Sequence, residues 1–371
     1  MKKQYPLQMP DGKANLFGLS MKELEQAASG YGEPPYRGRQ IFRALYRRRT
    51  VHFEAMTDLG APLRERLASQ FQIAYPEIRE QHVSRDGSVR YVMGFSDGEG
   101  AEAVYMPEPG RATLCLSSQA GCAVDCRFCF TALMGLRRNL DAGEILGQVY
   151  RIVLNQNLDP QTRLNLVFMG MGEPLLNYGA VLNAVRILAN RDGLRIPPRR
   201  ITLSTSGIAP RIQDLAREEV RPKLAVSLNA SSDEQRSALM PINRKYPLSE
   251  LMAACHAYPL RPREWLTFEY VMLDTVNDTI EDARRVAALL KGLRAKVNLI
   301  PYNPGEELPY RSPSIERVMA FEETLRKAGV PAFIRISRGR DVRAACGQLL
   351  VEGARKPITP IMRPAALPSL R

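Results

Sequence analysis

Histidine is scarce in this chain. Only His52, His82 and His256 occur among 371 residues, none of them close to the cysteine-rich segment described below. Their scarcity removes the usual histidine partners of a structural zinc site. Six cysteines are too few for a disulfide framework in a chain this long. No apolar run reaches the length of a membrane span, and Met1-Lys-Lys-Gln-Tyr-Pro6 carries no signal-peptide core. No long internal repeat is visible. The expectation is a cytoplasmic protein in a reducing compartment, without a membrane partner and monomeric. Acidic residues are also in deficit, with 39 Asp and Glu against 52 Lys and Arg, for a net charge of +13. A basic excess favours polyanions, nucleic acid above all.

The basic residues are clustered. Arg37, Arg39, Arg43, Arg47, Arg48 and Arg49 crowd one segment with Tyr36, Phe42 and Tyr46, and smaller groups lie at Arg137-Arg138, Arg199-Arg200, Arg244-Lys245 and Arg335 to Arg343. They are either a solvated helix face or phosphate contacts, and the latter would bind with a steep salt dependence. Ser20-Met-Lys-Glu23 is a capping-box pattern that opens a helix. Ile41, Phe42 and Leu45 fall at helical spacing within the basic segment. Leu59, Leu63 and Leu67 mark a third helix. Residues 1–76 therefore read as a small basic helical domain.

Residues 77–110 change period: Val83, Val89, Tyr91 and Met93 alternate around Asp86-Gly87, a hairpin signal. From residue 111 strands and helices alternate. Strands are expected at 112–117, 164–169, 200–205, 223–228, 266–273, 296–301 and 331–336, with helices at 141–156, 178–190, 209–218, 231–239, 248–257, 278–292 and 313–328. This rhythm implies parallel pairing through right-handed crossovers. The class is α/β, an incomplete (β/α)6-type barrel with its chemistry at the C-terminal strand ends. Residues 111–353 form the barrel and its C-terminal loop, and the proline-bearing stretch 354–371 reads as a flexible tail.

Cys122, Cys126 and Cys129 have the spacing Cys-x3-Cys-x2-Cys, just after the first of these strands. Iron–sulfur clusters normally take four cysteines; three leave one iron open. The pattern resembles the signature of radical S-adenosylmethionine (SAM) enzymes, in which the open iron chelates the amino and carboxylate groups of SAM. A zinc site and inert cysteines are the other readings. Strand ends carry further candidates. Gly170-Met-Gly-Glu-Pro174 offers backbone close to a ligand and a carboxylate for a cationic amine. Ser204, Ser227 and Asn303 offer hydroxyls and an amide, although Ser and Asn routinely cap helices after strands. Cys115 lies on the first strand and Cys346 near the end of the folded part. Chain order places the last barrel element beside the first, which would let these two meet. Arginines around Cys346 would lower its thiol pKa. Cys255, in a helical apolar pattern, reads as a buried small hydrophobe.

Together, Arg111-Ala-Thr-Leu-Cys115, the cysteine triad, Gly135-Leu-x-Arg-Asn-Leu140, Gly170 to Pro174, Met240-Pro-Ile-Asn-Arg-Lys-Tyr-Pro247, Val276-Asn-Asp278 and Ala345-Cys-Gly-Gln348 resemble the RlmN/Cfr family of RNA methyltransferases. The likeness runs from about residue 20 to 353. It implies one 4Fe–4S cluster on Cys122, Cys126 and Cys129, and two SAM molecules per turnover. The first would methylate Cys346. The second would be cleaved reductively, and its radical would take hydrogen from that methyl. The carbon would then add to an adenine of 23S rRNA in the peptidyl transferase centre, or to position 37 of tRNA. Cys115 would release the product through a transient disulfide, and Glu102 would accept the C2 proton. Gly172, Glu173, Ser204, Ser227, Leu228, Asn229 and Asn303 would contact SAM. A small flavodoxin-like protein is the implied electron donor, and the N-terminal domain matches the family's RNA-binding accessory domain. Two departures stand out: Asn229 replaces a family His, and Phe130 replaces a smaller residue. Pro174 favours C2 chemistry over the Cfr-type C8 alternative. A non-catalytic, metal-stabilised RNA-binding protein is the rival from another class.

Overall fold

The computed structural model describes residues 13–351. The tail expected at 354–371 lies outside the described residues. Ten strands form one sheet in the order Ala332–Ile334, Ala295–Pro301, Leu266–Met272, Lys223–Ser227, Ile201–Thr205, Arg163–Phe168, Arg111–Cys115, Gly100–Glu108, Val89–Gly94 and Glu77–Val83. Neighbours are parallel from Ala332–Ile334 through Arg111–Cys115 and antiparallel beyond it. Each parallel strand after Arg111–Cys115 follows a helical crossover, with helices at Ala142–Asn155, Tyr178–Ala189, Ala209–Ala216, Asp233–Leu239, Leu248–His256, Ile280–Leu289 and Ile315–Lys327. The strands read as continuous apolar runs because helices cover one face and the barrel interior the other. In Lys223–Ser227, for example, Leu224, Ala225 and Val226 are all buried. Among the described residues, no pairing joins Ala332–Ile334 to Glu77–Val83, so the barrel stays open.

That opening corrects one expectation. The last parallel strand is not a sheet neighbour of the first. The chain after Ile334 bridges the gap instead. Arg338 donates to Pro107 O (2.7 Å) and Asp86 O (3.0 Å), Gly339 N donates to Asp86 Oδ2 (2.9 Å), and Ser84 Oγ donates to Asp341 Oδ1 (2.6 Å). Further along, Leu350 N donates to Glu102 Oε2 at 3.0 Å. The hairpin strands thus extend the sheet and anchor the segment that carries Cys346.

The N-terminal helices are Met21–Gly30, Tyr36–Tyr46 and Ala61–Gln70. The first has both halves of the expected capping box between Ser20 and Glu23. Ile41, Phe42, Leu45, Leu59, Leu63 and Leu67 are buried, in the same apolar cluster as the barrel helices. Tyr46 is the joint. Its hydroxyl accepts from Gly18 N and donates to Leu19 O, both at 2.8 Å, while its carbonyl accepts from Tyr150 Oη at 2.6 Å. Phe17 packs edge-on against Tyr75 and Tyr150, with ring centroids 4.6 and 5.1 Å away. Replacing Tyr46 with Phe leaves the Gly18 N–H and Leu19 C=O buried without partners. The expected loss is about 1–3 kcal/mol in urea unfolding, with an unchanged denaturant slope.

Candidate active site

The cysteine loop is shaped by its backbone. Gly121 has φ +76°, and a Cβ there would lie 1.8 Å from Gly135 O. Cys122 N donates to Gly135 O (3.1 Å), Arg127 N to Leu239 O (2.9 Å), and Cys129 N to Cys126 O (3.0 Å). These bonds turn all three side chains into one cleft at the C-terminal ends of the parallel strands. Burial, first of all, pushes the three thiols up, Cys122 to about 12; Cys129 adds to the rise at Cys122, and both of these add to it at Cys126. The amides of Ala123 and Val124 point at the Cys122 sulfur, and those of Thr131 and Ala132 at Cys129. Such donors stabilise thiolate ligands. Among the described residues, no three His, Cys, Asp or Glu side chains converge on one point as single-ion ligands do. Three thiolate donors in one cleft are the donor type an iron–sulfur cluster takes.

The same cleft is lined by Gly172, Glu173, Ser204, Ser227, Asn229 and Cys346. At Gly172 φ is +95° and a Cβ would meet Gln119 Cβ at 2.5 Å, so only glycine fits. The Glu173 carboxylate accepts from Ser206 N (2.6 Å) and Leu175 N (3.0 Å). Burial raises its pKa against those bonds. Ser204 and Ser227 face each other on adjacent strands, their hydroxyls 3.5 Å apart. Asn229 has φ +55°, a region Asn tolerates well. Its Oδ1 accepts from Val271 N at 2.8 Å and its Nδ2 approaches Met240 Sδ at 3.3 Å. The residue replacing the family His thus ties two strand ends together. Phe130 is buried with its ring against Gly305, where a Cβ would lie 2.5 Å from Cζ. That packing accommodates the larger side chain.

Three expected residues lie outside the cleft wall. Leu228 is wholly buried and offers only backbone. Asn303 Nδ2 donates to Ser337 Oγ at 2.8 Å. Glu102 is fully buried, in an ion pair with Arg90 and beneath the Leu350 amide. Its burial raises the carboxyl pKa against the pull of Arg90.

Cys346 presents its accessible surface to the cleft. Although Cys346 is exposed, the packed surroundings of its sulfur and then the Glu269 carboxylate push its thiol up to about 11, with Arg335 opposing more weakly. The lowering expected from neighbouring arginines is therefore reversed. Cys115 is buried, and after burial its largest raising influence is Cys346. The two are free thiols within each other's electrostatic range. Cys255 is buried, as expected of a core cysteine.

Sequence reasoning missed Glu269, Thr131, Tyr302 and Arg236. A lone carboxylate within the apolar strand Leu266–Met272 was the available signal for Glu269. In the basic segment, Arg37, Arg39, Arg43 and Arg48 pair with Glu33, Glu25, Asp192 and Asp58 at 3.6, 3.2, 2.9 and 2.7 Å. Arg138 is held by Asp97 and Glu144. No helix among the described residues is long and apolar enough to cross a membrane.

An open parallel barrel with three cysteines after its first strand defines a radical SAM protein, and residues 116–290 match the Radical SAM superfamily. Residues 14–73 match the ribosomal RNA large subunit methyltransferase N-terminal domain. The chain is 52% identical over 335 residues to a probable dual-specificity RNA methyltransferase RlmN of Koribacter versatilis, spanning 86% of this chain and 96% of that protein. It is 46% identical over 360 residues to RlmN of an Anaeromyxobacter species, spanning 95% of each. A radical SAM methyltransferase from Sphaerobacter thermophilus superposes with a TM-score of 0.85 at 46% identity, over 90% of this chain and 98% of that one. The chain belongs to the RlmN family.

Asp86 supplies a pH test of the loop anchor. Burial alone would raise its pKa, but the Gly339 and Ser88 amides outweigh this and hold it at about 2, below the ordinary 3.8. A depressed carboxyl stabilises fully above its unfolded pKa and loses that contribution as pH falls through the folded value. The protection factor of the Gly339 amide, corrected for intrinsic exchange, should therefore fall between about pH 4 and pH 2. Asp86→Asn should show faster exchange already at neutral pH.

Proposed function

We propose that this protein methylates C2 of adenosine in 23S rRNA and tRNA, with Cys346 carrying the methyl group and Cys115 resolving the covalent adduct. One observation carries the reading: the cysteine triad and Cys346 line a single cleft, and Cys115 lies within electrostatic range of Cys346. A 4Fe–4S cluster on Cys122, Cys126 and Cys129, when bound, supplies the electron that cleaves SAM. Glu173 orients the SAM amino group, Gly172 lets backbone approach it, and Ser204, Ser227 and the Asn229 backbone position the rest. Cys346 loses its thiol proton on methylation. Glu102 takes the C2 proton once the Leu350 segment lifts from its carboxylate. Two SAM molecules serve each turnover, and the chain acts as a cytoplasmic monomer with a small flavodoxin-like donor. Residues 1–76 receive RNA, 77–110 form the hairpin extension, and 111–353 form the catalytic barrel. Exposed ion pairs on the basic helix are individually weak, so phosphates can displace their carboxylates.

Cys346→Ala should lower methyl transfer by at least about 10⁴-fold, the scale of losing a covalent nucleophile. Cys115→Ala should trap RNA on the protein as a band on a denaturing gel. Base-resolved mass spectrometry of RNA from cells lacking the protein should show loss of 2-methyladenosine. A loss of 8-methyladenosine would point to the C8 reaction, and a colourless, iron-free anaerobic preparation would overturn the radical reading altogether.

A further inference from the structure

Glu102 has no accessible surface, and its carboxylate is divided between two partners. Oε1 pairs with Arg90 Nη1, and Oε2 accepts from Leu350 N at 3.0 Å. Its backbone is pinned as well. Ser117 Oγ donates to Glu102 O at 2.5 Å, and Glu102 N donates to Met171 Sδ at 3.2 Å.

Strand register brings the ion pair together. Arg90 lies opposite Val104 in the antiparallel strands Val89–Gly94 and Gly100–Glu108, and Glu102 is two residues from Val104. Arg90 and Glu102 are therefore diagonal neighbours on one face of the sheet. Glu80 and His82 face them from the edge strand Glu77–Val83, and Cys115 from Arg111–Cys115. Glu80 and His82 bond each other at 2.9 Å and are exposed, and burial keeps the Cys115 thiol protonated. After burial, which raises the Glu102 carboxyl, Arg90 is the strongest influence and opposes the rise, with the Leu350 amide next and His82 last.

Arg90 does little else. Among the described residues its guanidinium bonds Glu102 alone, its side chain is 13% exposed, and its Nε is buried without a partner. An arginine that braces the fold looks different: Arg221 bridges Ala216 O and Pro259 O. A buried carboxylate without a cation takes up a proton rather than stay charged, and a protonated carboxyl accepts no second proton. When the Leu350 segment lifts, Oε2 is uncovered and loses an N–H donor, so the carboxylate gains basicity as it becomes free. The guanidinium on Oε1 then remains to hold its charge and direction.

We propose that Arg90 is a positioning residue for the RNA step, fixing Glu102 as proton acceptor and keeping its carboxylate charged inside the protein. The inference rests on the assignment of Glu102 as that acceptor. Arg90 itself gives up no proton and forms no bond to substrate.

The test uses full-length protein reconstituted anaerobically with iron and sulfide, an unmodified tRNA transcript and dithionite. Methylation of Cys346, read by mass spectrometry of the protein, comes before any base is needed at C2. Methylation of RNA, read across pH, requires that base. Arg90→Gln removes the charge and keeps amide donors, whereas Arg90→Lys keeps the charge. The Gln variant should still methylate Cys346. Its RNA methylation should fall at least about tenfold at neutral pH and recover as pH rises, the acid limb moving up by about one pH unit or more. The Lys variant should follow the wild-type profile. A Gln variant with the wild-type profile overturns the proposal, as does a Lys variant equally impaired. A Gln loss that is the same at every pH also overturns it, marking Arg90 as scaffold. If the Gln variant does not fold, the infrared difference between wild type and Glu102→Gln at neutral pH decides: an ionised Glu102 carboxylate supports the proposal and a protonated one overturns it. A Glu102→Gln variant that methylates RNA at the wild-type rate would instead refute the assignment of Glu102 itself.

Discussion

Phe130 N donates to Gly347 O across 2.8 Å, and Thr131 Oγ1 donates to Leu349 O across 2.8 Å. These two bonds splice the cysteine loop to a segment 218 residues further along the chain. The proposed chemistry depends on this junction. An open iron corner grips a cofactor from one side only, and Cys346 must face that same space. An incomplete barrel cannot arrange this by sheet pairing, because its two edge strands do not meet. The post-barrel segment does it instead, through side chains of the hairpin, Glu102 and Thr131.

The burial that makes the cleft also sets its charge balance. Cys122, Cys126, Cys129 and Cys346 all have raised thiol pKa values, and Glu173 and Glu269 have raised carboxyls. Burial in this cleft thus favours the protonated, neutral form of each of these groups.

Much of this architecture was legible in the order of residues. Parallel strands buried on both faces must be apolar throughout, so their positions stand out between amphipathic helices. The capping box at Ser20 and Glu23, the turn at Asp86-Gly87 and the glycine at position 172 are local demands of the backbone, and each appears where its residues predict. Glu102 was named through family likeness and Asn303 from its place at a strand end, yet their surroundings could not be read. Glu102 lies beneath Leu350, and Asn303 spends its amide on Ser337, partners that belong to the segment after the barrel.

The chain alone determined the element order and singled out the cysteine triad and the distant Cys115 and Cys346 as candidates, because spacing and side-chain chemistry are local properties. Tertiary structure decided that Cys346 shares a cleft with the cysteine triad and why its thiol is raised rather than lowered. Each of these depends on which groups burial brings within a few ångströms, and at that range the loss of water outweighs the charges that happen to be neighbours in sequence.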